Sequence, residues 1–283
     1  MSCPEFPKID TLFDRGGDFT VDTDRVRRPE FLVPREWLVT EKIDGTNVRV
    51  SLEQCREPLR FCGHEGGQPW SVHFYGRTEN SQMPTFLLDH LQRTFTLEKM
   101  QNLWRGKPSC DKCGGLGQFD SGEPKTLTRS YAGHRDYQCD CVETYPIALY
   151  GEGYGARIQK GGGDYRRDGG VSFRLIDVLV GGTWLRRADV EDAAKQLGIE
   201  PVPLMRIVER ASPAMAVSSC HAVTADIVDD VRDGLDSIVA AQEGTVGTKA
   251  EGVVAFTDPP LFNSRGQRLM WKLKTRDFAA GKR

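Results

Sequence analysis

An α+β domain is what this 283-residue sequence predicts, and three observations predict it. Short runs of apolar or alternating β-favouring residues recur along the chain, at 37–43, 48–52, 147–150, 171–178, 253–256 and 270–274. Between them lie stretches of helical period, at 86–104, 187–197 and 225–241. Thirty glycines and 15 prolines supply the many turns that such a mixture needs. With 39% hydrophobic residues the chain can bury one large core, or a core with a small appendage. A net charge of −2 and a pI near 6.2 exclude a global basic field, so any polynucleotide surface must be a local patch. No apolar run reaches the roughly 20 residues of a membrane span, and the N-terminus lacks the apolar core of a signal peptide. A cytoplasmic protein without membrane contact is the expectation.

Residues 1–36, with an acidic and basic run from Asp22 to Glu30, read as the lead into the first strand and carry no legible function. At Glu41-Lys42-Ile43-Asp44-Gly45-Thr46-Asn47 two strands meet, and Asp44-Gly45 is a strong hairpin signal that presents Lys42 at a strand end beside a tight turn. A lysine acts as a nucleophile only when its amine is neutral, against an ordinary pKa of about 10.4. Nearby positive charge or burial must supply a shift of roughly 3 units, about 4 kcal/mol. Asp44 and Asn47 stand where they could hold a metal or its waters. A short strand then ends at Gly76-Arg77-Thr78, where the Arg77 fork suits a phosphate. His64 and His73 read as structural histidines.

After the helical stretch 86–104, residues 105–145 read as an insertion. Of the eight cysteines, four gather there as Cys110-x-x-Cys113 and, after 25 residues, Cys139-x-Cys141. Four thiolates can close a tetrahedral structural zinc site, and the lack of apolar periodicity makes this insert hard to fold without one. His134 is a substitute ligand, and Cys3, Cys55, Cys62 and Cys220 read as ordinary residues. Residues 147–155 form a strand in which Glu152 is flanked by glycines, leaving a carboxylate free to accept hydrogen bonds from ribose hydroxyls. The loop Gln159-Lys160-Gly161-Gly162-Gly163 reads as flexible and carries a mobile lysine, Lys160, that could touch a phosphate. A strand at 171–178 carries Phe173, an aromatic of the kind on which bases stack. An amphipathic helix at 187–197 stops at Gly198, Pro201 and Pro203 extend the exit, and a second helix covers 225–241; both read as scaffold. Strand period two puts Lys272 and Lys274 on one face.

Lys42 to Asn47 resembles the first motif of the covalent nucleotidyltransferases, the polynucleotide ligases and messenger-RNA capping enzymes, whose lysine takes AMP or GMP through a phosphoramidate bond. Asn47 narrows the likeness. DNA ligases and capping enzymes usually carry Arg there, whereas Asn resembles the double-strand RNA ligases of phages and the RNA-editing ligases. Arg77-Thr78, Tyr150-Gly151-Glu152-Gly153, the strand with Phe173, Lys249-Ala250-Glu251-Gly252 and Trp271-Lys272-Leu273-Lys274 follow in the order of the family's further motifs, over residues 41–274.

The resemblance implies a single nucleotidyltransferase domain over 1–283, of α+β type, with antiparallel sheets around an ATP pocket and a zinc-binding insert at 105–145. Lys42 would attack the α-phosphorus of ATP; AMP would pass to an RNA 5′-phosphate; a 3′-hydroxyl would then displace it. Glu41, Ile43, Asn47, Arg77, Glu152, Phe173, Lys272 and Lys274 would bind the nucleotide, Phe173 stacking on adenine, and Lys272 with Lys274 would lower the pKa of Lys42. Glu251, with Asp44, would hold magnesium or manganese. Only nine residues follow Lys274, so no C-terminal OB-type domain is expected, which argues against DNA ligases and capping enzymes. Those two and a catalytically dead nucleic-acid binder are the alternatives. A monomer is expected, with room for a protein partner that adds to the RNA clamp.

Overall fold

The computed structural model describes residues 3–17, 19–54, 70–103, 118–120, 136–138, 146–209 and 221–279. A leading segment supplies β1 (Asp10–Thr11), β2 (Phe13–Arg15) and β3 (Val21–Val26). Then come β4 (Glu36–Lys42), β5 (Thr46–Gln54), β6 (Trp70–Tyr75), α1 (Thr85–Thr94) and α2 (Leu97–Asn102). Among the described residues the short β7 (Gln118–Asp120) and β8 (Asp136–Gln138) pair with each other. The second half contains β9 (Ile147–Gly155), β10 (Val171–Val180), β11 (Thr183–Trp184), α3 (Arg187–Leu197), β12 (Glu200–Pro201) and β13 (Leu204–Glu209). It closes with α4 (His221–Asp233), α5 (Ile238–Gln242), β14 (Gly252–Phe256) and β15 (Met270–Lys274).

Two sheets organise these elements. The first has the order β1-β15-β14-β4-β13, antiparallel except where β1 joins β15. The second runs β11-β10-β9-β5-β6, with β12 added parallel to β10. The outer face of the second sheet, through Val48, Val50, Leu149, Phe173, Leu175 and Val178, packs against Leu87 and Leu91 of α1 and Val190, Ala194 and Leu197 of α3. The first sheet buries Trp37, Val39, Val253, Trp271 and Leu273 against Ile227 and Val231 of α4 and against Leu12 and Phe13 of the leading segment. At about 25 cal/mol per Å² of apolar surface, these two cores supply most of the drive to fold. A buried ion pair between Arg268 and Asp177 ties one sheet to the other. Among the described residues no helix is long and apolar enough to cross a membrane.

The hairpin expected at Asp44-Gly45 is corrected. β4 belongs to the first sheet and β5 to the second, so residues 43–45 cross between sheets. Glycine is needed at 45 for close approach: a Cβ there would lie 2.4 Å from the Gly153 carbonyl oxygen and 2.8 Å from Glu152 Cγ. The expected helices are also shorter. The 86–104 stretch breaks at Phe95, and the 225–241 stretch breaks at Gly234, whose φ of +88° suits glycine alone. Ser237 then starts α5 afresh, accepting from the Ala240 N–H at 2.9 Å. His73 is exposed, held by a 2.7 Å hydrogen bond with the Ser71 hydroxyl. Cys110, Cys113, His134, Cys139 and Cys141, together with His64, Cys55, Cys62 and Cys220, lie outside the described residues.

Candidate active site

Lys42 ends β4 at the crossover, one residue before the chain leaves the first sheet. Beside it β14 begins, with Glu251 immediately ahead of that strand, and the register Gly252↔Lys42 and Gly252↔Lys274 brings three motif residues to one strand end. Lys42 Nζ lies 2.6 Å from Glu251 Oε2, and Lys274 Nζ donates to Glu251 Oε1 at 2.5 Å. Arg276 reaches the same carboxylate at 3.7 Å. Burial alone would raise the Glu251 carboxyl, but Lys42 and Lys274 outweigh it and hold it below its ordinary range. Lys272, on the same face as Lys274, is lowered to about 8, by burial first and then by the charges of Lys274, Lys42 and Arg77. Arg77 itself is exposed on the turn after β6.

The second sheet contributes Glu152 from β9, whose register partner on β5 is Asn47. Burial pushes Glu152 up to about 7; Lys42 pulls it down, while the carboxylates of Glu251 and Asp44 push it further up. Those couplings put the three carboxylates and Lys42 in one electrostatic neighbourhood. Asn47 Oδ1 is buried and has no hydrogen-bond partner, which leaves an acceptor aimed beside Glu152 for an incoming donor. Asp44 is fixed by the loop that follows β9: Gly161 N–H donates to Asp44 Oδ2 at 3.1 Å, and Asp44 N–H donates to the Tyr165 hydroxyl at 3.2 Å. Lys160 is exposed on that loop. A cleft of about 440 Å³ runs from Asp44 and Gly161 past Tyr165 to Thr248, Lys249 and Glu251. A second, of about 350 Å³, opens on the far side of Lys274.

Three expected nucleotide contacts lie elsewhere. Phe173 is 4% exposed and points to the helical side, its ring over Gly151 and edge-on to Phe95 at 5.2 Å between centroids. The cause is strand parity: Phe173 shares its face with Leu175, while Arg174 takes the inter-sheet face and meets the Tyr154 hydroxyl at 3.1 Å. An irregularity between Leu175 and Asp177 inserts Ile176, which packs toward Ile43, Val202 and Tyr154 near Lys42. Glu41 is 2% exposed, and its carboxylate accepts from Ser237 Oγ at 2.5 Å and Val239 N–H at 3.0 Å. Burial raises this carboxyl against those hydrogen bonds. Its side chain therefore anchors the start of α5. Ile43 is likewise buried, within the cluster of Tyr154, Tyr165 and Val239.

Sequence reasoning missed the leading segment's share in the site and the Arg166–Glu243–Tyr154–Arg174 network behind Glu152, where Tyr154 donates to Glu243 at 2.5 Å. Neither leaves a local signal, because the partners lie far apart in the sequence. Chemically, the gathered groups offer a primary amine, three carboxylates and a row of cations: a nucleophile, oxygen donors, and counter-charge for phosphate.

No curated protein matches the sequence. Among solved structures, a Naegleria gruberi RNA ligase with pyrophosphate aligns at 17% identity with a TM-score of 0.48, covering 98% of this chain and 60% of that one. A variant of the same enzyme with ATP and manganese gives 17% and 0.48, covering 96% and 63%. An archaeal ATP-dependent RNA ligase gives 15% and 0.48, covering 97% and 49%. The chain thus spans about three-fifths of the Naegleria ligase structures and half of the archaeal one. Residues 35–274 match the family model described as RNA ligase, a span that runs from the strand bearing Lys42 to Lys274, and the chain belongs to the RNA ligase family.

Proposed function

We propose that the chain is an ATP-dependent RNA ligase that joins RNA 5′-phosphate and 3′-hydroxyl ends through a lysyl-AMP intermediate on Lys42. The observation that carries this reading is the Lys42–Glu251–Lys274 arrangement, in which the two oxygens of one carboxylate hold two amines at 2.6 and 2.5 Å. In the first step the Lys42 amine, having lost its proton, forms a bond to the α-phosphorus of ATP while the bond to the bridging oxygen breaks and pyrophosphate leaves. AMP then passes to the RNA 5′-phosphate oxygen, freeing the lysine, and the 3′-hydroxyl displaces AMP to make the phosphodiester. Lys272, Lys274 and Arg77 offset phosphate charge during each transfer.

Glu152 and the unpartnered Asn47 Oδ1 suit ribose hydroxyls as acceptors. We assign the base to the partly buried Ile176, which packs on the Ile43 and Val202 cluster near Lys42, in place of Phe173. Glu251, Glu152 and Asp44 are carboxylates of one electrostatic neighbourhood and offer the oxygen chemistry that magnesium or manganese takes, although among the described residues no group of three stands at metal-holding geometry. Bound there, the ion would neutralise developing charge on the phosphates. Release of Glu251 from its lysines is what this chain must supply for that binding. Lys160 is assigned to RNA phosphate. Cys110, Cys113, Cys139 and Cys141 are assigned to one structural zinc on their spacing alone.

The test is incubation with α-labelled ATP. Wild type should retain covalent label and Lys42→Ala should not, while Lys42→Ala still seals a pre-adenylated RNA, a substrate that bypasses the amine. Undiminished label on Lys42→Ala would remove the nucleophile from this assignment.

A further inference from the structure

The cleft on the far side of Lys274 is lined by Arg15, Phe19, Lys272, Lys274, Arg276 and Asp277. Of the four cations, Arg15 donates to Asp277 at 2.7 Å, a carboxylate that also accepts from the Lys274 N–H at 3.0 Å, while Lys274 and Arg276 reach Glu251 at 2.5 and 3.7 Å. Lys272 makes no ion pair among the described residues. Lys272 is thus the cation left without a carboxylate, and a half-buried cation beside like charges favours a bound anion.

The second observation is Phe19. Its side chain is 70% exposed and its φ is +67°, a left-handed conformation that costs a bulky residue about 1–2 kcal/mol. The loop is nevertheless fixed. Arg15 donates to the Phe19 carbonyl at 2.7 Å, and the Phe19 N–H donates to Gly16 at 3.0 Å. The same arginine thus braces the aromatic on one side and lines the anion cleft on the other. β1 carries this wall to the phosphate lysines, because it pairs with β15 in the register Thr11↔Lys272, with Leu12 N–H donating to the Lys272 carbonyl at 3.1 Å.

We propose that this cleft is a nucleotide subsite for the RNA strand being joined, its phosphate held by Lys272, Arg276 and Arg15 and its base stacked on Phe19. An exposed aromatic at the mouth of a cationic groove is the pairing that single strands use, with stacking indifferent to base identity. The proposal rests on the ligase reading above and names where that reaction takes hold of its polynucleotide. The other phosphate source is the triphosphate tail of ATP, which would need the cations but not the aromatic.

The experiment compares wild type, Phe19→Ala and Phe19→Trp for anisotropy binding of a fluorescein-labelled 12-nucleotide single-stranded RNA at low salt, and for self-adenylation. Expected is a loss of RNA affinity of about fivefold or more for Phe19→Ala, retention in Phe19→Trp, and a smaller change in adenylation. Unchanged RNA binding in Phe19→Ala, no RNA binding by wild type, or equal losses in RNA binding and adenylation would overturn the subsite, the last by assigning the cleft to the triphosphate. Wild type that binds RNA with this Phe19 dependence yet takes no label from ATP would keep the subsite and overturn the ligase reading instead.

Discussion

Phe173→Ala separates the motif-based reading of that aromatic from the structural one. The ring is 4% exposed, lies over Gly151 and meets Phe95 at 5.2 Å, in one cluster with α1 and α3 side chains. Truncation of a buried Phe costs about 3–5 kcal/mol in lost transfer and cavity formation. Against a typical stability of about 5–15 kcal/mol, that is a large share. With about 2–4 °C lost per kcal/mol in a domain of this size, Tm should fall by roughly 6–20 °C. KM for ATP in the adenylation reaction, measured well below the new Tm, should move by less than about threefold, because no nucleotide contact is lost. A ring stacked on adenine predicts the reverse: stacking worth about 1–3 kcal/mol would raise KM by about 5- to 150-fold and leave Tm nearly unchanged. Differential scanning fluorimetry and a labelled-ATP titration on one preparation decide it, and a tenfold rise in KM at constant Tm would refute the assignment of Phe173 to the core.

Glu251→Gln removes the charge that both Lys42 and Lys274 hold, and adenylation with saturating ATP and magnesium should fall by about 10²-fold or more, as read from single-turnover labelling. Lys272, lowered to about 8, is charged at pH 7 and loses its proton as pH rises through 8; bound anion favours the charged form, so pyrophosphate should bind more weakly at pH 9.5 than at pH 7 and take up protons on binding near pH 8.5. Calorimetry in two buffers measures both, and Lys272→Gln should flatten the profile. Gly45→Ala places a Cβ 2.4 Å from the Gly153 carbonyl oxygen, so the crossover must shift and adenylation should drop by more than the lowered Tm accounts for, as activity at 20 °C would record. Elemental analysis should find one zinc per chain, reduced in Cys110→Ser and Cys141→Ser together with solubility.

What could be read in the sequence, and what could not, follows from how local each signal is. β15 was legible to the residue, because Met270, Trp271 and Leu273 are buried around two outward lysines. The ends of α3 were equally plain, set by an apolar face and Gly198. Sheet membership was not, since Asp44-Gly45 between two β-favouring runs looks the same whether the runs pair with each other or with partners far away in sequence; here β5 pairs with β9, and β4 with β14. Phe173 was misread because its place in the motif order says nothing of parity, which sets it beside Leu175 on the helical face. Simple alternation puts 173, 175 and 177 on one face, but the extra residue at Ile176 returns Asp177 to the side of Tyr150 and Arg268. A bulge leaves no mark in composition. Glu41 was a third such case, because the partners that claim its carboxylate lie almost 200 residues downstream.

The same crossover that defeated the hairpin reading explains why the reactive groups meet where they do. Lys42, Glu251, Lys272 and Lys274 belong to the first sheet or its margin, while Glu152 and Asn47 belong to the second. A nucleotide held by both sets must therefore bridge two independently hydrogen-bonded bodies, and the geometry at phosphorus depends on how firmly those bodies are fixed to each other. Two ties fix them close to Lys42 and a third acts at a distance from it. Residues 43–45 lie against the β9 backbone at Gly153, Glu41 clamps α5 from the end of β4, and the buried Arg268–Asp177 pair spans the sheets further along. Loss of one partner from such a pair costs about 3–5 kcal/mol because it strands a buried charge, so this tie resists shear between the sheets more strongly than any surface ion pair could. Lys42 is thus aimed by the fit of one sheet on the other, and the placement of its amine is a property of the whole two-sheet body.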